Sequence, residues 1–247
     1  MHFSLRHILA SLFAVVFTSS VVDAMPTQIQ GDGPSVVERA ADSQAMTRIR
    51  YQNYAASAIN ALQKTYYNPN AGLWGKIDGK GVGQRSYWSQ YCRNELYLTA
   101  SAKLANRLPD KKTSSGQGYY FEQALAAYAY LVTDSTTTMN PSTHLFNDGI
   151  SMKTCKNNGG VVFTYNQGII IAGLTELTWS TANHAYTALA VQISHSVISN
   201  LTTSSGILQD KVCEPNACNV DEQQFKGVFT RNLAFLINRA TGSMPRL

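Results

Sequence analysis

Carboxylates, carboxamides and tyrosines gather, mostly in the second half of this chain, at points where loops should meet helices. Asp148 stands between Asn147 and Gly149, and Tyr165-Asn166-Gln167-Gly168 follows at a helix start. Glu95 beside Asn94, Asp221 beside Glu222, and Lys226 before Gly227 complete the set. These groups suit a neutral, hydroxyl-rich ligand: flat aromatic faces cover its C–H surface, while carboxylates and amides take its hydroxyls in paired hydrogen bonds. Each also has an ordinary structural use. Thr164 or Asn166 can close the first turn of a helix. Asp221-Glu222 is a standard acidic start to a helix, and Glu95, on a mixed helix face, would ordinarily be solvated. Lys226-Gly227 offers a cation to an acidic group or a sugar hydroxyl.

Other chemistries lack their residues. The sequence has no Gly-x-Ser-x-Gly elbow, no His-Glu-x-x-His helix and no Walker sequence. The glycine-rich stretch Lys76 to Gln84 has no Lys-Ser/Thr after it and no apolar strand before it, so it does not read as a phosphate loop. His184 and His195 fall on one amphipathic helix as surface or boundary residues. No metal site and no cofactor is implied.

The elements that must position these groups are helices. Tyr51, Tyr54, Ala55, Ala58, Ile59, Leu62 and Tyr66 recur at three- and four-residue steps. Asn68-Pro69-Asn70 ends that helix. Further helices are predicted from about Ser89 to Arg107, Tyr119 to Leu131, Asn166 to Thr178, Thr181 to about Ile198, and Glu222 to Ala240. A loop from Thr133 to Gly160 carries His144, Asp148 and Cys155. Val161-Val162-Phe163 is the single strand-like run. An all-α protein of helical hairpins follows.

The first 24 residues read as a secretory signal peptide: Arg6 and His7 form a basic start, Ile8 to Val22 is mostly apolar, and Val22-Asp23-Ala24 offers a cleavage site. Residues 25–40 read as a flexible leader and 41–247 as one domain. No later segment has the continuous apolar length of a membrane span, and Thr241 to Leu247 lacks the apolar tail of a lipid anchor. A net charge of +5 with scattered lysines and arginines makes nucleic acid a poor partner. Four cysteines in a secreted chain point to disulfides. Cys213 and Cys218 enclose a short loop, which makes Cys92 and Cys155 the second bridge, although four cysteines permit three connectivities. Asn200-Leu201-Thr202 is an N-glycosylation sequon.

Several blocks together resemble glycoside hydrolase family 76, the endo-α-1,6-mannanases. They are Asn94-Glu95-Leu96-Tyr97-Leu98, Asn147-Asp148-Gly149, Cys155-Lys156-Asn157-Asn158-Gly159-Gly160, Thr164-Tyr165-Asn166-Gln167-Gly168, Cys213-Glu214-Pro215, and Gln224-Phe225-Lys226-Gly227 with the helix after it. Tyr67-Asn68-Pro69 with Gly72-Leu73-Trp74 is similar to the family's N-terminal block. The resemblance implies an (α/α)6 toroid of helical hairpins with a sugar groove across one end, here incomplete. It implies α-1,6-mannan or a cell-wall mannoprotein glycan as partner, and a secreted or cell-wall location. Its retaining chemistry uses two carboxyls about 5–5.5 Å apart, supplied in the family by adjacent aspartates. This sequence has no Asp-Asp pair. Residues 75–88 join the N-terminal block directly to the later half, so the expectation is a mannan-binding chain impaired in catalysis, or a transcript with omitted exons between Gly75 and Trp88. Asp148, Tyr165, Asn166, Gln167, Glu95, Asp221 and Lys226 are the expected substrate contacts.

Overall fold

The run Ile169-Ile170-Ile171-Ala172-Gly173-Leu174 has no polar side to turn toward water, so a helix built from it must be wrapped by others. That requirement organises the molecule. The computed structural model describes residues 90–108, 116–133, 139–149 and 157–240, with 53, 56, 57 and 60 as single helical positions. The helices are α1 (Gln90–Arg107), α2 (Tyr119–Tyr128, running into a π turn Ala129–Thr133), α3 (Thr164–Thr181), α4 (His184–Asn200) and α5 (Phe225–Ala240). A 3-10 turn, Glu222–Gln224, leads into α5.

α3 is the centre. Every residue from Thr164 to Leu177 is buried, and α1, α4 and α5 pack around it while α2 packs on α1. Each fully buried isoleucine contributes about 1.5–3 kcal/mol. Two glycines set how closely the neighbours approach. A Cβ on Gly168 would lie 2.6 Å from Phe229 Cα of α5, and one on Gly173 would lie 2.8 Å from Leu98 Cγ of α1. Gly168 thus belongs to helix packing.

α3 ends where Ala182 adopts a left-handed conformation (φ 56°) and its N–H bonds Thr178 O at 2.8 Å. Asn183 then caps α4, its Oδ1 accepting from Ala185 N at 3.0 Å. So short a connection forces α3 and α4 into an antiparallel helical hairpin. α5 buries Val228, Phe229, Asn232, Phe235 and Leu236, a stripe at helical spacing.

The helices predicted within the described residues are present with shifted ends. α3 begins two residues earlier than Asn166, α4 later than Thr181, and the predicted start at Glu222 is the 3-10 turn. Val161-Val162-Phe163 is not a strand. Its backbone is engaged locally, Val161 O accepting from Asp148 N at 2.7 Å, and it leads straight into α3. The signal peptide, the leader, Cys155, the Cys92 side chain and most of the helix predicted from Tyr51 lie outside the described residues. Cys213 and Cys218 are disulfide-bonded.

Candidate functional site

At the N-terminal end of α3, three consecutive side chains tie the helix to the 139–149 loop and to α1. Gln167 closes both ends of its carboxamide on backbone: Oε1 accepts from Phe146 N at 2.9 Å, and Nε2 donates to Phe146 O at 2.6 Å and Phe163 O at 2.9 Å. Asn166 Nδ2 donates to Glu95 Oε2 at 3.0 Å and to Asp148 Oδ1 at 3.2 Å, so one amide group is shared by two carboxyls. Tyr165 donates its hydroxyl to the same Asp148 oxygen at 2.5 Å. Asn147 Nδ2 donates to Gly149 O at 2.7 Å and to Asn158 Oδ1 at 2.5 Å, fixing the loop that carries Asp148.

The burial pattern separates these residues. Asn166, Gln167 and Glu95 are fully buried, and Tyr165 is 8% exposed with its ring packed against Phe225 (centroids 4.3 Å apart). Asp148 is half-buried, and its second oxygen accepts no hydrogen bond among the described residues. Asp148 is therefore the group of this cluster with an edge to offer a ligand. Glu95, expected on a solvated face, is instead enclosed, because α1 is wrapped on all sides from Asn94 to Leu104.

Two carboxyls in one partly dry site cannot both hold charge cheaply. Burial pushes the Glu95 carboxyl well above its usual range; the Asn166 hydrogen bond opposes this and the nearby Asp148 charge adds to it. Burial also raises Asp148, with the bonds from Tyr165 and Asn166 opposing. Glu95 Oε1 and Asn166 Oδ1 are buried without a hydrogen-bond partner among the described residues. A proton on Glu95 would remove the charge that its burial penalises.

Asp221 and Lys226 do not join this cluster through any described hydrogen bond. Asp221 is exposed at the start of the 3-10 turn, its N–H bonded to Asn219 Oδ1 at 2.9 Å. Lys226 Nζ is ion-paired with Glu214 Oε1, inside the Cys213–Cys218 loop. Asn200 is exposed at the end of α4.

The sequence reading missed Asp210. No side chain caps α3 from within; the Ncap position is Phe163. Buried Asp210 takes that role from a distance, accepting from Thr164 N at 2.7 Å and Thr164 Oγ1 at 2.8 Å. Its own N–H donates to Glu214 Oε2 at 2.8 Å. The disulfide loop, Glu214, Asp210 and Thr164 thus form one connected support beneath Tyr165 and Asn166. No local signal marks Asp210, whose partner lies 46 residues away.

An all-helical hairpin protein with a carboxylate anchored at the head of its central helix matches one class of known proteins. The profile of glycosyl hydrolase family 76 matches residues 37–245, and the chain belongs to that family. It is 26% identical over 178 residues to the mannan endo-1,6-alpha-mannosidase DCW1 of Saccharomyces cerevisiae, covering 70% of this chain and 38% of that protein. It is 25% identical over 200 residues to the mannan endo-1,6-alpha-mannosidase DFG5 of the same yeast, covering 73% and 43%. Among solved structures, a family 76 glycoside hydrolase from a bovine Bacteroides thetaiotaomicron strain superposes with a TM-score of 0.54 at 19% identity, over 81% of this chain and 40% of that one. The family 76 mannosidase Bt3792 from Bacteroides thetaiotaomicron gives 0.55 at 15%, over 79% and 50%. At these identities the two structures establish the helical toroid fold alone. The chain spans about two fifths of the length of the curated yeast relatives it matches.

Proposed function

We propose that this chain holds α-1,6-mannan of the cell wall at the head of α3 and does not hydrolyse it. The observation that carries the reading is the Asp148 carboxylate: one oxygen is fixed by Tyr165 and Asn166, the other is left for a ligand hydroxyl. Membership of family 76 and the yeast mannosidase relatives support mannan as the ligand. Asn166, Gln167, Tyr165 and Glu95 then act behind Asp148, positioning it, while Lys226 and Asp221 lie farther along the same chain without a described bond to it. The lack of any Asp-Asp pair in the sequence supports the non-catalytic part of the reading. Glu95 does not replace that pair, because it is sealed from any sugar. Secretion to the wall belongs to the same reading, supported by the basic-then-apolar first 24 residues.

The test is calorimetric titration with α-1,6-mannooligosaccharides together with a reducing-sugar assay. Binding by the wild type that is lost in Asp148→Ala, with no sugar released, is expected. Sugar release would overturn the non-catalytic part. Undiminished binding by the variant would remove Asp148 from the site.

A further inference from the structure

The triplet Asn200-Leu201-Thr202 stands where the chain leaves α4. One other Asn-x-Ser/Thr triplet occurs in the sequence, Asn140-Pro141-Ser142, and its central proline disqualifies it as a glycan acceptor. The structure separates the two further. Asn140 spends its side chain on a local turn, Oδ1 accepting from Ser142 N at 2.9 Å and Thr143 N at 3.2 Å. Asn200 is exposed, while Leu201 next to it is buried and anchors the triplet to the core.

The hydrogen bonds of the triplet are compatible with a modified Asn200. Its Nδ2 donates one hydrogen to Ser196 O at 2.8 Å and carries a second. An N-linked sugar replaces one amide hydrogen, so the other keeps the bond to Ser196. The Thr202 hydroxyl is spent on Ile198 O at 2.6 Å, and Leu201 N on Val197 O at 2.7 Å. The triplet is therefore locked into the helix end once α4 forms. Attachment belongs to the unfolded chain, and the fold has only to leave room for the product.

α4 also gives such a glycan something to do. None of its 17 residues is Asp, Glu, Lys or Arg. Exposed Ala188, Val191, His195 and Ile198 follow at steps of three and four, which puts them on one face. Val191 is 40% exposed and Ile198 54%. An uncharged helix face with protruding apolar groups invites association. Ile198 and Val191 precede Asn200 by two and nine residues, about 3 and 14 Å along the axis at 1.5 Å per residue.

We propose that Asn200 carries an N-linked glycan, which shields the outer face of α4 from association. The assignment rests on the secretion included in the reading above and not on mannan binding at Asp148. In the transfer, the bond between the sugar C1 and a phosphate oxygen of a lipid-pyrophosphate-linked oligosaccharide breaks and a C1–Nδ2 bond forms. The lipid pyrophosphate leaves, and the displaced amide proton passes to water. The product is a bulky, solubilising group beside a helix that supplies no charge of its own.

The test expresses the chain from Met1 to Leu247 in a secreting yeast and treats the protein from the medium with a peptide N-glycosidase. The wild type should drop in apparent mass on digestion, with Asn200 converted to aspartate in the mapped peptide. Asn200→Gln and Thr202→Ala should lose the whole shift, and Thr202→Ser, which keeps an acceptor triplet, should retain it. Mapping on the wild type decides the site without requiring any variant to fold. On size exclusion, Asn200→Gln should self-associate, and adding Val191→Glu should return it to monomer; the deglycosylated wild type serves if Asn200→Gln is not secreted. A secreted wild type with no shift, a shift that survives in Asn200→Gln, or a glycan mapped to Asn140 overturns the assignment. Monomeric behaviour without the glycan overturns the shielding. A chain kept inside the cell with residues 1–24 still attached overturns secretion and the glycan together, an outcome distinct from a secreted but unmodified chain.

Discussion

Replacing Glu95 by glutamine should make this protein more stable at neutral pH, although it removes a side chain at the heart of the candidate site. Glu95 is fully enclosed, accepts its described hydrogen bond from Asn166 Nδ2, and faces the Asp148 charge. Its second oxygen and Asn166 Oδ1 are both acceptors without a donor. Burial dominates and raises the folded-state pKa above the ordinary 4.5. A group with a raised folded pKa gives stability that is complete below the unfolded pKa and is lost as pH climbs through the folded value. The wild type should therefore lose stability as pH rises from about 4.5, the unfolded reference. A glutamine carries no charge and brings the missing donor. Satisfying a buried polar contact is worth about 1–3 kcal/mol, or roughly 2–12 °C in melting temperature for a chain of this length. Thermal melts of both proteins across pH 4–8, at constant ionic strength, measure the difference. The curves should converge at the acid end and separate toward neutrality, with Glu95→Gln higher. A Glu95→Gln protein that melts lower at pH 7 would refute the reasoning, since it would mean Glu95 is ionised and held by a cation.

Asp210→Ala should destabilise by about 1–3 kcal/mol, because the buried Thr164 N–H at the head of α3 loses its acceptor; Asp210→Asn, which keeps an acceptor oxygen, should recover part of this in urea unfolding. Gly168→Ala should be costly despite improving helix propensity, since the added Cβ meets backbone of Phe229 at 2.6 Å; an unchanged or raised midpoint would show that α5 can move away. Burial alone would raise Glu176, but the Arg107 charge and hydrogen bonds, with Lys103 and Asn106, pull it below 4.5. Its contribution is present above that pH and disappears as pH falls through the lowered value. Glu176→Ala should cost about 3–5 kcal/mol by stranding buried Arg107, and a double replacement of the pair by apolar residues should cost less than either single change, which a double-mutant cycle resolves.

The helical class and the order of its elements were legible in the residues themselves, because α3 carries a long apolar run, the other helices carry three- and four-residue periodicity, and turn-forming residues separate them. Asn183 and Ala182 between α3 and α4 encode a tight hairpin locally. The short Cys213–Cys218 loop named its own disulfide. The family was legible too, since the Tyr165-Asn166-Gln167-Gly168 and Phe225-Lys226-Gly227 blocks resemble it, although overall identity to the yeast relatives is only about a quarter. What the residues do within those blocks was not legible. Gln167 looked like a ligand contact and spends its carboxamide on Phe146 and Phe163. Gly168 looked like part of a binding motif and is the point where α5 touches α3. Glu95 looked solvated and is enclosed. Asp210 was invisible, and it caps the central helix. Periodicity and caps depend on neighbours within a turn or two, and a sequence records those directly. Burial of a carboxyl, the sharing of one amide between Glu95 and Asp148, and a cap from 46 residues away depend on which distant segments meet. Only the packed tertiary structure decides that.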